Sequence, residues 1–415
     1  MEPADHLFRR ESGRMVAALT RVFGLHNFAL VEDVVQDAFV RALEVWKFQG
    51  MPENPSAWLL ATARNRALDV LRREQTARRF APELERELES EWTRTHAVDQ
   101  QFEPGAIQDG LLRMMFSCCH PQLAPEAQVA LVLHALCGFS VGEIAAAFLA
   151  GHAAIEKRIG RAKKVLAASS RLFDLESAEL SRRLPAVQRA LYLLFNEGYH
   201  GACEESAVRV ELCREAMRLA EFLAGHPRTA TPVTAALRAM MCLHAARLPA
   251  RLDAAGDLRP LGEQDRSLWD RALIARGQEL LNDSAVGTEL SEYHVEAMIA
   301  AVHAEAARLE DTDWPTIIRL YDTLLALHSS PVIALGRALA IAEHEGPARG
   351  LAAILAIPAR DRLSRYPFHA AALGELELRR GRRAEARAHF GEALALARNP
   401  AERRYLERRR DACSD

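Results

Sequence analysis

Two adjacent cysteines and a histidine, Cys118, Cys119 and His120, are the residues of this sequence that most suggest chemistry. Such side chains could ligate zinc, or a thiol among them could act as a redox sensor. However, no second C-x-x-C or C-x-x-H pattern lies nearby to complete a tetrahedral metal site. The amphipathic segment "DGLLRMMF" before them favours small thiols packed as apolar residues at the end of a helix. We therefore expect no metal and no cofactor here.

Signatures of catalysis are missing from the rest of the sequence. There is no glycine-rich phosphate loop, no nucleophile elbow and no HExxH motif. His200 and His294 stand alone in helical patterns, where a histidine more often has a structural role than a catalytic one. The sequence therefore predicts a protein that is not an enzyme.

Composition narrows the class of protein further. The chain has 415 residues, 49% of them hydrophobic, and a formal net charge of −3, so it is long enough for two or three folded domains and is not a uniformly basic nucleic-acid coat. Its 7 cysteines have no regular spacing and do not form a disulfide framework. The charged first residues are unlike a signal peptide, and no segment is apolar enough to span a membrane. We expect a cytoplasmic protein with reduced thiols and no membrane contact.

The hydrophobic pattern determines the predicted fold class. Apolar residues recur at three- and four-residue spacing, whereas runs of β-branched residues are almost absent. This period is typical of amphipathic helices, and we predict an all-α protein. The clearest stretch contains Leu30, Val34, Val35, Ala38, Phe39 and Leu43, and we place this apolar side in the core.

The segment 137–167 has the pattern of a helix-turn-helix. Gly138 ends one helix, and Ser140 and Glu143 form a capping box that starts the next. After a break at Gly151 comes a basic helix, which could lie in the major groove of DNA. Its predicted apolar side is Ala154, Ile155, Ile159 and Ala162. Taken alone, the pattern also fits a plain helical hairpin with a solvated basic face.

Residues 29–79 form a second candidate unit for nucleic acid. An amphipathic helix with an acidic polar edge is followed by a polar loop and an arginine-rich helix. A basic helix beside a polar loop can hold unpaired DNA through its phosphates. Trp58, at the start of that second helix, is expected to be simply buried.

Together these segments resemble a known family. "VEDVVQDAFVRAL" followed by "PSAWLLATARNRALDVLRR" is similar to region 2 of bacterial RNA polymerase sigma factors of the extracytoplasmic-function type. "SVGEIAAAFLAGHAAIEKRIGRAKK" is similar to their region 4. Segments such as "LPAVQRALYLLFNEGYHG" and "DTDWPTIIRLYDTLLA" resemble the subgroup with a tetratricopeptide-like C-terminal extension, so the resemblance covers essentially the whole chain.

The resemblance implies partners and roles. The acidic edge of Asp33, Gln36 and Asp37 would bind the clamp coiled coil of the largest subunit of core polymerase, and the flap of the second-largest subunit would be a further contact. The −10 element of promoter DNA would be opened and held by Asn54, Pro55, Ser56, Arg64, Asn65, Asp69, Arg72 and Arg73. The −35 element would be contacted by His152, Lys157, Arg158, Arg161 and Lys164.

The predicted domains are residues 1–80 (region 2), 81–120 (an acidic linker ending in a helix), 121–172 (region 4) and 173–415 (the extension). The linker has glutamates at alternating positions in "PELERELESEW". It is either a solvated spacer or a segment that lies on a basic surface and screens it.

The extension carries a repeat signature. Residues 371–400 have small residues and an aromatic at the offsets of a tetratricopeptide repeat, and Trp314 and Tyr321 fit the first helix of another. Where the family pattern leads us to expect Asn, this chain has Gly336, which predicts a looser helix contact. Gly198 and Gly201 are expected to supply turn geometry. Asp265, Arg266 and Trp269 are expected to form a satisfied structural network.

Two roles for the whole chain remain open from the sequence. In the first, the extension replaces a separate regulatory protein and controls the two DNA-binding regions, with an unidentified effector or protein as its partner. The alternative is a repeat-containing helix-turn-helix activator that does not act as a sigma subunit. Binding to core polymerase would distinguish the two.

Overall fold

The computed structural model describes residues 2–78, 104–148, 150–168, 177–200 and 208–414. These residues form α-helices joined by turns and short 3-10 helices, with no β-strand in the described ranges beyond an isolated bridge between Leu252 and Leu258. The predicted all-α class is confirmed. Within the same ranges, no helix combines the length and the apolar character needed to cross a membrane.

The chain divides into two compact units, Met1–Leu191 and Tyr192–Asp415. The predicted acidic segment at 82–92 and the predicted boundary at 172/173 lie outside the described residues. The helices of the first unit are α1 (Glu2–Phe23), α2 (Phe28–Gln49), α3 (Pro55–Arg78), α4 (Pro104–Cys118), α5 (Pro125–Cys137), α6 (Val141–Ala147) and α7 (His152–Ala167). Helix α8 (Ser177–Tyr199) begins in the first unit and ends in the second.

Helix α1 is the centre of the first unit, where it packs against α2, α4 and α5. Its contact with α5 is very close, because a Cβ atom added at Gly13 would lie 1.9 Å from the carbonyl oxygen of Leu136. The remaining helices pack in pairs, α2 with α3 and α5 with α7. Arg183 of α8 donates a hydrogen bond to the carbonyl oxygen of Phe116 (3.0 Å), which ties the start of α8 to α4.

The second unit is an array of helical hairpins. Its helices are α9 (Val210–Gly225), α10 (Pro232–Ala245), α11 (Arg271–Ser284), α12 (Glu292–Glu305), α13 (Trp314–Leu327), α14 (Pro331–Glu345), α15 (Pro347–Leu355), α16 (Pro367–Arg379), α17 (Arg383–Ala395) and α18 (Pro400–Asp411). Most begin with proline in the first turn, where its missing N–H costs nothing.

The C-terminal hairpin has the packing that the repeat signature predicts. Phe390 of α17 is fully buried, and a Cβ atom added at Gly374 of α16 would lie 3.1 Å from its ring. Gly381 turns the chain between the two helices with a φ of +80°. The small residue therefore lets the paired helices approach, with the aromatic ring filling the groove.

Two predictions about glycines were wrong. Gly336 does not loosen its contact: an added Cβ atom would lie 2.8 Å from the Tyr321 hydroxyl oxygen, so the glycine permits close approach of α13 and α14. Gly198 lies inside α8 rather than in a turn, and a Cβ atom there would lie 2.8 Å from the backbone nitrogen of Cys213. Gly201 is outside the described residues.

Close helix packing in the second unit can be tested at Gly350 of α15. A Cβ atom there would lie 2.3 Å from that of Ala342, so we expect Gly350→Ala to destabilise the protein by roughly 1–3 kcal/mol through overpacking. The matched control is Gly391→Ala in α17, where nothing lies within 4 Å and removing a helical glycine should stabilise by about 0.5–1 kcal/mol. Thermal unfolding followed by circular dichroism measures both, and equal stability of Gly350→Ala and wild type would contradict the packing.

Candidate nucleic-acid and protein interfaces

The acidic edge of α2 is a solvent-facing surface. Asp33, Gln36 and Asp37 are all exposed, because they alternate with the buried residues of the same helix. They border a groove of about 400 Å³ between α2 and α3. Across it, Arg66 Nε lies 3.2 Å from Oδ2 of Asp37 in a solvent-exposed ion pair. The structure thus brings the three predicted residues together on one face.

The same face continues into exposed apolar side chains. Val40 is 57% exposed and Leu43 is 56% exposed, one and two helical turns beyond Gln36 and Asp37. The prediction that Leu43 belongs to the core was wrong. Apolar residues at helical spacing form one side of a helix, but the spacing does not show whether that side packs in the core or stays exposed. Val40 was missed for the same reason. An acidic edge continued by apolar side chains can bind a protein helix.

The loop between α2 and α3 is fixed by a helix cap. The side-chain oxygen of Asn54 accepts a hydrogen bond from the backbone N–H of Ala57 (3.1 Å), and Pro55 begins α3. Asn54 is exposed, whereas Pro55 and Ser56 are half-buried. Trp58 is half-buried rather than fully buried, with its ring 5.4 Å from that of Trp46. Two aromatic rings thus hold the base of the loop.

Two exposed apolar side chains border this loop. Phe48, at the end of α2, is 83% exposed, and Met51 is 56% exposed. The ammonium nitrogen of Lys47 lies 5.7 Å from the centre of the Phe48 ring. Sequence reasoning did not select either residue, although a Phe two residues before the Gly50-Met51-Pro52 turn was a usable signal. An exposed aromatic ring beside a cation can stack on an unpaired base.

Helix α3 presents one polar face to solvent. Asn65, Asp69, Arg72 and Arg73 are exposed and recur at helical spacing, so they lie on the same side of α3. Arg64 is half-buried and lies outside this face. The predicted −10 residues of α3 are therefore brought together except for Arg64.

The turn before α7 has the hydrogen bonds that the capping box predicts. The backbone N–H of Ser140 donates to Oε2 of Glu143 (2.8 Å), and the backbone N–H of Glu143 donates to Oγ of Ser140 (3.2 Å). Gly138 ends α5 in the left-handed conformation, with a φ of +66°. Gly151 caps α7 in an extended conformation. These reciprocal bonds fix where α6 begins.

The outer face of α7 is basic. His152, Lys157, Arg161 and Lys164 are exposed, and Arg158 is half-buried. The inner face consists of Ile155, Ile159, Ala162 and Leu166. The prediction that Ala154 belongs to the inner face was wrong, because it is exposed. The predicted −35 residues therefore lie on the side of α7 that is not used for packing.

One cationic side chain of α7, that of Lys163, forms an ion pair within the first unit. Lys163 Nζ lies 2.7 Å from Oε2 of Glu32 on α2, and Oε1 of that carboxylate lies 3.5 Å from Nε2 of His134 on α5. Lys163 Nζ also lies 5.9 Å from the centre of the Phe28 ring. These contacts join the helix-turn-helix to the helix that carries the acidic face.

Cys118 and Cys119 lie at the end of α4 and are almost completely buried. Burial raises the pKa of the Cys119 thiol to about 12 and that of Cys118 well above its ordinary value, so both stay protonated at neutral pH. The prediction that they pack as apolar residues is confirmed. Among the residues that the structure describes, no group of three or more His, Cys, Asp and Glu side chains could hold a metal ion.

The satisfied network predicted for Asp265, Arg266 and Trp269 is found at Asp265 and Arg266, but Nε1 of Trp269 is buried without a hydrogen-bond partner among the described residues. The guanidinium of Arg266 donates to the carbonyl oxygens of His303 (2.8 Å) and Ala306 (2.7 Å) and to the hydroxyl of Thr312 (3.3 Å). His294 accepts a hydrogen bond from the backbone N–H of Ser291 (3.1 Å), which confirms its structural role. Arg266 thereby fastens the loop before α11 to the end of α12.

Three protein families match separate parts of the chain. Residues 7–77 match the family described as Sigma-70 region 2, and residues 113–166 match that described as Sigma-70, region 4. Residues 183–285 match a family of unknown function, DUF6596. A relative from Rhizobium meliloti (strain 1021), the uncharacterized protein R00370, is 38% identical over 398 residues, which are 95% of this chain and 92% of that protein. No solved structure gives a significant match.

Proposed function

The chain belongs to the RNA polymerase sigma factors of the extracytoplasmic-function type with a C-terminal extension, a family that acts in transcription initiation and is not enzymatic, and we propose a role for each of its surfaces. The α2 face binds core polymerase. The Asn54 loop and α3 bind the −10 element, and α7 binds the −35 element. The observation that carries the proposal is the basic outer face of α7, held by a capped helix-turn-helix.

The proposed core-binding surface is Asp33, Gln36, Asp37, Val40 and Leu43. Its acidic end suits a basic partner, and its apolar end gives a docking helix area to bury. We assign it to the clamp coiled coil of the largest subunit, with the flap of the second-largest subunit as the contact of region 4. The domain limits of the sequence analysis are also part of this proposal: 1–80 for region 2, 81–120 for the linker, 121–172 for region 4 and 173–415 for the extension.

The proposed −10 site combines charge and stacking. Arg72 and Arg73 are exposed on α3 and would neutralise phosphates, while Phe48 offers a ring to an extruded base. Asn54, Pro55 and Ser56 shape the loop between them. On α7, Arg158 and Arg161 are the candidates for base contacts, because a guanidinium can make two parallel hydrogen bonds to guanine.

We propose that the packing of α7 on α2 represents a closed form of the protein, in which the two DNA-binding regions are in contact. The two promoter elements are named for positions −10 and −35, so their centres lie about 25 base pairs apart. At 3.4 Å per base pair this is roughly 85 Å of duplex. In this structure the two DNA-binding regions are instead in direct contact, through the packing of α1 on α5 and with the Lys163–Glu32 ion pair at its edge. We propose that α7 leaves α2 when the protein binds polymerase and promoter, and that the extension regulates this transition.

A pair of variants separates the two proposed surfaces. Arg158→Ala should weaken binding to −35 duplex DNA by roughly 1–3 kcal/mol because it removes a base contact, with core affinity unchanged. Asp33→Lys should do the opposite, because it reverses charge on the core-binding surface. Fluorescence polarisation with labelled duplex and with labelled core measures both. A loss of core affinity in Arg158→Ala with intact DNA binding would contradict the assignment, and absence of core binding in the wild type would favour the activator alternative.

The closed form can be opened by charge reversal. Lys163→Glu places two carboxylates together at the α2–α7 contact, so we expect a larger radius of gyration in small-angle X-ray scattering. Adding Glu32→Lys should restore the wild-type value because it restores an opposite-charge pair. Lys164→Glu is the control, since Lys164 is exposed on the same helix. Identical radii for all four proteins would refute the proposed role of the ion pair.

The regulatory role of the extension is tested by truncation. Ending the chain after Leu191 keeps Arg183 and its bond to Phe116, and so retains the first unit with its packing. We expect promoter-dependent transcription by reconstituted holoenzyme to change, because control by the extension is lost. Transcription equal to that of the full chain at several promoters would show that the extension has no regulatory role.

A further inference from the structure

A group of basic and aromatic side chains, some buried and some half-buried, lies in the second unit, where the end of α8, the end of α10 and the loop before α11 meet. We call it the basic cluster, and its members are Tyr199, His244, Arg247, Arg251, Trp269 and His303. Arg247 is its centre and is only 8% exposed. The cluster belongs to none of the surfaces assigned above.

Among the residues that the structure describes, no carboxylate pairs with the two arginines of the cluster. In the described part of the chain, no carboxylate oxygen lies within 4.0 Å of Arg247 or Arg251. Two other shielded arginines of the same unit are paired with carboxylates, since Arg398 Nη2 lies 2.6 Å from Oε1 of Glu402 and Arg209 Nη1 lies 3.9 Å from Oε1 of Glu197. The buried Arg266 has no carboxylate partner in the described residues, but its guanidinium donates to two carbonyl oxygens and a hydroxyl. Two neighbouring cations without an anion are costly to bury. This arrangement is expected where a ligand supplies the negative charge.

Several donors of the cluster also have no acceptor. Nε of Arg251, Nε1 of Trp269 and the hydroxyl of Tyr199 are buried without a hydrogen-bond partner among the described residues. Arg247 uses only Nε, which donates to Oε1 of Gln264 (3.3 Å), and Arg251 uses Nη2 on the carbonyl oxygen of Tyr199 (2.9 Å). Buried donors are normally satisfied, so their concentration in one place points to an acceptor-rich ligand.

Aromatic rings hold the guanidinium groups in place. The Cζ atom of Arg251 lies 4.3 Å from the ring centre of Tyr199, and that of Arg247 lies 5.4 Å from the ring centre of Trp269. This stacking orients the donors before any ligand arrives, which lowers the entropy lost on binding. The ring of His200 contacts the edge of the Tyr199 ring, with 4.7 Å between the ring centres. Arg266 is excluded as a ligand residue because protein oxygens already accept its hydrogen bonds.

The charge of the cluster identifies the class of anion. Burial lowers the pKa of His244 and of His303 to about 3, with Arg247 adding to the effect, so both imidazoles are neutral. The two guanidinium groups then carry the positive charge. A phosphate monoester carries a charge of about −1.5 to −2 and three strong acceptor oxygens, which matches two guanidiniums and several further donors. A carboxylate has one charge and two oxygens and would leave part of the cluster uncompensated.

We propose that the basic cluster binds the phosphate group of a small phosphorylated molecule. Arg247 and Arg251 are the charged ligands, and Trp269 and Tyr199 are neutral donors. The site goes beyond the transcriptional role proposed above and does not depend on it.

The test titrates inorganic phosphate into the full-length protein. Binding is measured by ³¹P line broadening and by the rise in melting temperature relative to chloride at equal ionic strength, with acetate as the carboxylate probe. The variants are Arg247→Gln and Arg251→Gln, and the control is Arg349→Gln, an exposed arginine of α15. Phosphate also stabilises proteins non-specifically, so specific binding is the difference between wild type and variant.

We expect saturable phosphate binding in the wild type and in Arg349→Gln, weaker acetate binding, and at least about a tenfold loss of phosphate affinity in both cluster variants. Because each variant also removes an unpaired buried charge, its melting temperature without phosphate should equal or exceed that of the wild type. An equal phosphate response in wild type and cluster variants would overturn the proposal. So would a lower melting temperature of both variants without loss of phosphate affinity, or protection by acetate but not by phosphate.

Discussion

The contact between Gly13 and the backbone of Leu136 is the constraint on which the first unit depends. No larger residue fits, since an added Cβ atom would overlap the carbonyl oxygen. Helices α1 and α5 can therefore approach more closely than ordinary side chains allow, and α2, α4 and α7 pack around them. The ion pair between Lys163 and Glu32 lies at the edge of this packing and adds orientation more than stability, because both side chains are partly solvated.

The parts of the fold that depend on neighbours in sequence were predictable. The capping box of Ser140 and Glu143 forms between residues at a fixed offset in the sequence, so the residue types at these positions predict it. The same is true of the small residues and Phe390 in the C-terminal hairpin. The exposure of Leu43 could not be predicted, because apolar periodicity is the same for a side that packs in the core and for a side left open to a partner. Gly336 was misjudged because its effect depends on the ring of Tyr321, which belongs to another helix.

Arginine has two opposite functions in this molecule. On α3 and α7 several arginines, such as Arg73 and Arg161, are exposed to solvent, and such residues are evident from the sequence as basic helices. In the extension Arg247 is enclosed by rings and by other cations, and nothing in the local sequence marks it. The members of its cluster come from positions as far apart as 199 and 303, so only the fold brings them together. Local sequence patterns therefore predict exposed basic surfaces, whereas an enclosed site such as the basic cluster depends on residues that are distant in the sequence.

The hydrogen bond of Asn54 has a consequence for how promoter preference can evolve. Asn54 belongs to the proposed −10 loop, and its side chain also caps α3. A substitution of Asn54 that favours another DNA base also removes the helix cap. This lowers the stability of the protein by about 0.5–2 kcal/mol unless the new residue is Ser, Thr or Asp. Drift at this position is therefore restricted to a few residue types. New specificities are reached more easily through neighbours such as Phe48 and Met51, whose side chains face solvent and support no helix end.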